Sequence, residues 1–376
     1  SVHTARLHNL KISFWSVIMK KQLLTTTALV VAGVFAVSGA ALAKKPTLSV
    51  GGSTEQIFGV GENDTAFDAA NPRIGWDQIS DTEVHFNGAV TLDNGIKIKT
   101  RVELEGNTGG DSIDENWMRV SGSFGEVRLG SGDGAGQAMT TGYMGTYGTN
   151  VGQSTGFDTQ EWVQRPAAVT GASSVHRVDL TSDGEMIGYF TPRFSGFQVG
   201  ASYHPSARED TAGRELSAGA FNEGWSMGAN YVTKMDNVGI NIAAGYNTMN
   251  DTTANLPDPE VWGVAAAVDF SGFRVAASWI DQDSRENALT GVTQVAGVES
   301  FELGVRYMFG ANAVAASYLN AEGQSNTTAV GGGDEAELLT LAWRRTLGAG
   351  VSFSLSAIFA DWDDGVPGSA AANSNN

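Results

Sequence analysis

The chain contains no cysteine, which excludes a disulfide scaffold, a thiolate metal site and a cysteine nucleophile. Charge is sparse: Asp, Glu, Lys and Arg make up 17% of the residues, against about 25% in ordinary globular domains. Bases are the minority, with 23 Lys and Arg against 41 Asp and Glu and a formal charge of −18. That balance excludes the basic surface a nucleic-acid partner requires. Past residue 43 there is no apolar run of about 18 residues, so no transmembrane helix is expected there. Prolines number 8, whereas glycines number 48 of 376, about 13% where about 7% is usual. The hydrophobic (41%) and aromatic (9%) contents are too high for a disordered chain.

The one long apolar run lies near the N-terminus. Met19 precedes Lys20 and Lys21, then the stretch Leu23 to Val37, then Ala41-Leu42-Ala43. A positive start, a short apolar core and an A-x-A site describe a secretory signal peptide over 19–43, cut before Lys44. The alternative is a membrane-anchoring helix, for which the run is short. Residues 1–18 precede a good initiator Met and read as an upstream extension. Cleavage leaves 19 bases and 41 acids, a net charge of −22. An exported chain of this kind is either a soluble periplasmic domain or an outer-membrane barrel.

Period-two alternation favours the barrel. Val84, Phe86, Val90 and Leu92 share one face, and Glu83, His85, Asn87 and Thr91 the other. Asp93-Asn94-Gly95 is a hairpin turn. Ile96, Ile98, Thr100, Val102 and Leu104 then alternate with Lys97, Lys99, Arg101, Glu103 and Glu105. A charged face backed by an apolar one suits a sheet between water and hydrocarbon. The pattern continues through sets such as Trp262, Val264, Ala266, Val268 and Phe270, or Phe301, Leu303, Val305, Tyr307 and Phe309. Aromatics recur at the ends of the sets, and the intervening positions are largely Gly, Ala, Ser and Asn.

Short turns alternate with long polar segments, the longest spanning about 131–183; this asymmetry marks outer-membrane barrels. Fifteen strands are expected between Thr47 and Ala360. Single-chain bacterial barrels have an even number, so a sixteenth, closing strand is expected beyond Asn376. The expected fold is therefore all-β: a transmembrane antiparallel barrel over 44–376, with 16 strands of which about 15 are present.

Two hairpins carry a family likeness. Trp117-Met118-Arg119-Val120-Ser121-Gly122-Ser123-Phe124-Gly125-Glu126-Val127-Arg128-Leu129-Gly130 resembles the hairpin before the constriction loop of the general diffusion porins of Gram-negative outer membranes. Ile187-Gly188-Tyr189-Phe190-Thr191-Pro192-Arg193-Phe194-Ser195-Gly196-Phe197 resembles the hairpin after it. With the leader, the resemblance covers nearly all of Met19 to Ala360. It departs at the end of the chain, Asn376, where porins usually carry a terminal aromatic read by the barrel-assembly machinery.

The resemblance implies a water-filled channel for ions and small hydrophilic solutes, with loop 131–183 folded inward. It also implies a homotrimer in contact with lipid bilayer and lipopolysaccharide. The acidic side of the constriction would come from Asp133, Asp158 and Glu161, with Asp179 and Asp183 further along the same loop. The basic wall would come from Lys97, Lys99, Arg101, Arg119 and Arg128. Facing rows of opposite charge would set a transverse field that sorts ions. The alternative is that these are solvated lumen charges or oligomer contacts. The mature net charge of −22 favours cations at the mouths and the basic wall favours anions at the constriction; the expected preference leans towards cations. No cofactor is expected. Asp281, Asp283 and Glu286, and Asp361, Asp363 and Asp364, form oxygen-rich clusters that could hold Ca²⁺, although solvated loop acids explain them as well.

Other functions fit less well. Gly152-Gln153-Ser154-Thr155-Gly156 is formally G-x-S-x-G, yet no apolar strand precedes it as a nucleophile elbow requires. His85, His176 and His204 are the only histidines after the leader, so a barrel hydrolase would have to draw its base from them. A substrate-specific channel, a receptor or adhesin barrel, and a soluble β protein are the remaining alternatives.

Overall fold

The computed structural model describes residues 45–63, 75–106, 113–149, 151, 165–166, 169, 177–181, 183–208, 221–253, 255–324, 333–365 and 374–375. The leader and residues 1–18 lie outside the described residues, as do Ser154, Asp158, Glu161 and His176.

Eighteen strands follow one another along the described chain. They are β1 (Thr47–Val60), β2 (Trp76–Thr91), β3 (Lys97–Glu105), β4 (Asn116–Gly122), β5 (Gly125–Ser131) and β6 (Glu185–Phe190). Next come β7 (Phe197–Ser206), β8 (Phe221–Met235), β9 (Val238–Asp251), β10 (Glu260–Phe270), β11 (Phe273–Gln282) and β12 (Arg285–Glu286). The last are β13 (Thr293–Val295), β14 (Gly297–Phe309), β15 (Asn312–Gln324), β16 (Glu335–Gly348), β17 (Val351–Asp363) and β18 (Ser374–Asn375). Sixteen of them form one sheet in chain order, and β12 with β13 makes a separate two-stranded ribbon between β11 and β14. Every adjacent pair is antiparallel, from β1 with β2 to β17 with β18.

The fifteen long strands of the sheet match the expected number, and the sixteenth place is taken by Ser374–Asn375 against Asp361 and Trp362. Several strands outrun the alternating apolar sets. The β1–β2 ladder, for example, extends through Gln56↔Ser80 to Val60↔Trp76, because polar residues at strand ends keep their backbone pairs where side chains meet water. The short connections are tight. Ser195-Gly196 and Ser271-Gly272 have φ values of 47° and 92°, and 48° and 86°, two consecutive positive angles that match the right-handed twist of the flanking strands.

Alternate side chains point to opposite faces of a strand, and the faces differ. On β10, Trp262, Val264, Ala266, Val268 and Phe270 are exposed, while Val261, Gly263, Ala265 and Ala267 are buried. On β8, Asn222, Gly224, Ser226, Gly228 and Asn230 are buried against the same side. The apolar face is thus the exposed one, the reverse of a soluble sandwich. Its aromatics gather in two bands. One, at the short turns, stacks Phe270 on Phe273 and Phe273 on Tyr307, with ring centroids 5.5 and 4.2 Å apart. The other, at the long connections, pairs Trp262 with Trp279 at 4.5 Å and Tyr203 with Trp225 at 5.1 Å. Trp262 and Phe270 lie about 26 Å apart along their strand, which suits an apolar belt about 25 Å tall between aromatic girdles.

Leu303, at the middle of β14 on the exposed face, tests this assignment. Leu303→Arg should cost about 2–4 kcal/mol of folding stability in lipid bilayers, read from denaturant titration in vesicles. A change near zero would indicate a water-facing surface.

Candidate functional site

The other face of the sheet is covered by the chain that follows β5. Residues Ala135–Thr140 form a short helix, α1, succeeded by single 3-10 turns at Thr141–Tyr143 and Tyr147–Thr149. Gly134 caps α1 without a side-chain hydrogen bond, so its first-turn N–H groups need partners elsewhere. The sheet supplies them: Ala135 N donates to Ser202 Oγ at 3.0 Å and Gly136 N to Ser226 Oγ at 2.8 Å. Farther along, Gly145 N donates to Ser278 Oγ at 3.1 Å, and Thr146 N to Glu302 Oε2 at 3.0 Å. The carbonyls are held too. Asn230 Nδ2 donates to Met139 O at 3.2 Å, and Arg274 donates to Gly148 O at 3.0 Å and Gly142 O at 3.3 Å.

Small residues make this approach feasible. A Cβ on Gly228 would stand 2.8 Å from Met139 Cβ, and one on Gly304 would overlap the Gly145 carbonyl. Apolar contacts complete the berth, with Met144, Val178, Val261, Ala265 and Ile280 packed in one cluster. His204, considered above as a base, belongs to this berth: it is fully buried, with Nε2 3.0 Å from Ser202 Oγ.

The basic residues expected on β3–β5 do share one face. The register sets Arg101 opposite Trp117, Lys99 opposite Arg119, and Arg119 opposite Arg128. Like charges directly opposite repel, and two devices offset this. Arg101 pairs with Glu103 at 2.6 Å and Arg128 with Glu126 at 2.7 Å. In addition, Arg119 lies 3.9 Å from the centroid of the Trp117 ring, which Arg101 also approaches at 5.4 Å, and Arg128 lies 3.9 Å from that of Phe190. Guanidinium over an aromatic face is attractive by about 0.5–2 kcal/mol. Lys97 and Lys99 are exposed at the short-turn end of β3.

Of the expected acidic partners, Asp133 is described. It accepts a hydrogen bond from Gln137 Nε2. Burial raises its carboxyl above the ordinary range, with Asp179 adding to the rise and Arg177, Arg128 and Arg119 opposing it. Glu115, just before β4, is pushed up to about 7, chiefly by burial and next by Glu103, while Trp117 Nε1, donating at 2.9 Å, works against the rise. Glu115, Asp133 and Asp183 bring carboxylate oxygens within 4.8 Å of one another at the root of the inward segment.

A second basic row lies on the same face and was not singled out in the sequence. Arg274 on β11 stands directly opposite Arg306 on β14, and Arg344 on β16 donates to Ser354 Oγ at 3.2 Å. Arg274 is tied to Asp269 by bonds of 2.8 and 2.9 Å. Arg306 Nε is buried without a partner among the described residues. The available signal was period two: Arg274 falls between Phe273 and Val275, so it had to face inward. A cavity of about 400 Å³ opens beside α1, lined among others by Glu126, Arg128, Tyr143, Phe190, Arg193 and Asn230.

The acids considered for Ca²⁺ are placed differently from expectation. Asp281 lies in β11, and Asp361 and Asp363 lie in β17 instead of a loop. Among the described residues, none of Asp281, Asp283, Asp361 and Asp363 belongs to a group of three donors close enough to share one ion.

Comparisons with known proteins agree with this architecture. Outer membrane porin protein 32 of Delftia acidovorans is 29% identical over 210 residues, an alignment covering 53% of this chain and about half (54%) of that relative. An anion-selective porin from Comamonas acidovorans superposes with a TM-score of 0.55 at 16% identity, over 85% of this chain and 90% of that one. The trimer form of OmpT from Vibrio cholerae gives 0.58 at 12% identity, over 88% and 98%. Likeness at such identities shows the fold. The family model for Gram-negative porins matches residues 25–364, and with that match over an exposed apolar sheet, the chain belongs to the Gram-negative porin family.

Proposed function

We propose that this protein forms a water-filled channel in the outer membrane that passes ions and small hydrophilic solutes by passive diffusion, and that it acts as a channel and not as an enzyme. The supporting observation is the inward segment. Residues 135–149 lie on the inner face of β7–β11 and β14 through seven hydrogen bonds from or to the wall. The arginines of β3–β5 stand on a part of the same face built from earlier strands. The aperture is then the gap between the segment's free edge and that basic wall. The OmpT structure from Vibrio cholerae is of its trimer form, and we extend that assembly to this chain.

We infer from the local charge a preference for anions at the constriction, in place of the cation preference that net charge suggests. Lys97, Lys99, Arg101, Arg119, Arg128, Arg274, Arg306 and Arg344 share the inner face, as their cross-strand registers require. Among the inner acids, Glu302 holds the segment, while Asp269, Glu103 and Glu126 pair with Arg274, Arg101 and Arg128. Charges at the mouths are screened over about 8 Å at physiological ionic strength, so an ion at the narrowest point responds to the arginines beside it. For the alternative of a sugar-specific channel, the aromatic faces of Trp117 and Phe190 among the described residues are covered by guanidinium groups.

Two measurements in planar bilayers check this reading. The wild-type reversal potential in a salt gradient should report anion preference, and the double variant Arg119→Gln with Arg128→Gln should lower the anion-to-cation permeability ratio severalfold. A cation-selective wild type would overturn the assignment. Glu302→Ala removes the acceptor of Thr146 N and a partner of Ser278 Oγ, a loss of about 1–3 kcal/mol to the docked segment. Its channels should show larger and noisier conductance steps, whereas unchanged steps would mean that the segment does not bound the aperture.

A further inference from the structure

One cluster on the inner face is not used by the inward segment and touches the basic rows only through the Arg101–Glu103 pair. His85 on β2 stands directly opposite Glu103 on β3, and Glu83 lies two residues away on the same face. His85 Nε2 is 2.7 Å from Glu83 Oε2 and 3.5 Å from Glu103 Oε2. One ligand atom from each of the three residues can be chosen so that all lie within 4.8 Å of one another. Glu103 divides its oxygens, giving Oε1 to Arg101 at 2.6 Å and turning Oε2 towards the imidazole. A neutral imidazole has one proton or one lone pair at Nε2, and two carboxylates converge on it. That is one more acceptor than a single N–H can serve.

We propose that Glu83, His85 and Glu103 form a binding site for a divalent transition-metal cation of the Zn²⁺ class on the channel wall. One nitrogen and two oxygens are the donor types that such borderline cations accept, whereas carboxylates alone suit Ca²⁺ and Mg²⁺. The spacing fits. Around a tetrahedral ion with bonds of about 2.0–2.2 Å, donor atoms stand about 3.3–3.6 Å apart; the His85–Glu103 distance of 3.5 Å falls in that range, and the His85–Glu83 distance of 2.7 Å would open by under ~1 Å. Three protein ligands leave a coordination position for water or a passing solute, the condition for reversible binding. Across β1 from His85 stands Gly51, which carries no side chain; a Cβ there would meet Asn87 Nδ2 at 3.6 Å.

The surrounding charge supports a cation. Glu55 and Asp81 face one another on β1 and β2, and Glu105 stands opposite Glu83. Glu83, Glu105 and Asp114 form a second group of closely spaced carboxylates that shares Glu83 with the first. Glu115 lies beyond Glu103, its backbone carbonyl accepting from Glu103 N at 2.8 Å. Against these acids the nearby base is Arg101, which Glu103 Oε1 already neutralises. A channel with a basic aperture thus carries an acidic, histidine-bearing station on the same inner face.

The test uses the full chain folded in detergent micelles, so it does not depend on the channel reading. Zn²⁺ is titrated by calorimetry in excess Mg²⁺, and Co²⁺ serves as an absorbance probe. Wild type should bind one ion per chain, with visible Co²⁺ bands of an imidazole-containing site. His85→Asn should abolish those bands, and both His85→Asn and Glu103→Gln should weaken Zn²⁺ binding at least ~10-fold, the scale on which metal-site substitutions act. Asp361→Asn, on β17, should leave binding unchanged, and circular dichroism checks that each variant folds. If His85→Asn fails to fold, Glu83→Gln takes its place with the same expected loss of Zn²⁺ affinity. Absence of saturable binding, affinity untouched by the ligand substitutions, or equal affinity for Mg²⁺ would each overturn the proposal.

Discussion

Backbone N–H groups in residues 135–146 lie inside the sheet with no strand to pair with, and a buried unpaired amide costs about 1–3 kcal/mol. Their partners are side chains of the wall: Ser202, Ser226, Ser278 and Glu302. Much else in the structure follows from that need. The wall must present hydroxyls and one carboxylate at set heights on β7, β8, β11 and β14, and between them it must be nearly bare, so Gly228 and Gly304 stand where any Cβ would collide. The sparse charge and abundant glycine of the chain are in part the composition of this berth. The exposed apolar face complements it, since a sheet that keeps its polar groups on the inside leaves only hydrophobic residues for the outside.

Glu302 shows how the berth uses a buried carboxyl group. It is fully buried and accepts from Thr146 N and from Ser278 Oγ at 2.9 Å. Arg274 does the corresponding work for carbonyl oxygens while anchored on Asp269. On earlier strands of the same face the arginines of β4 and β5 are held differently, flattened on Trp117 and Phe190 or paired with an acid on their own strand. The guanidinium suits both settings because it is planar, always charged and able to stack as well as donate. In each case the cation is kept at the wall.

Period two was enough to place the strands and their faces. The sets Trp262–Phe270 and Phe301–Phe309 lie on the exposed side as read, because alternation of Cβ direction is a local property of extended backbone. The same parity put Lys97, Lys99, Arg101, Arg119 and Arg128 together on the inner face. It could not say that Arg119 would stack on Trp117, since that depends on the stagger between β3, β4 and β5. Nor could it raise Arg274, Arg306 and Arg344 above other alternate charges: Arg274 and Arg306 become a pair only through a register joining strands about thirty residues apart. The acids at 281–283 and 361–363 were read as loop clusters because their spacing is polar, yet Asp361 and Asp363 extend the ladder of β17 against Glu337 and Glu335.

By itself, then, the amino-acid sequence determined an all-β, outward-apolar sheet of fifteen long strands with alternating short and long connections, and which charges face inward. Those features arise from side-chain polarity and turn chemistry acting over a few residues. Tertiary structure alone decided where the segment after β5 docks, that small residues across six strands were its berth, and that His85 meets both Glu83 and Glu103. These outcomes depend on register and curvature, which bring together side chains up to 156 positions apart, and no local pattern encodes that distance.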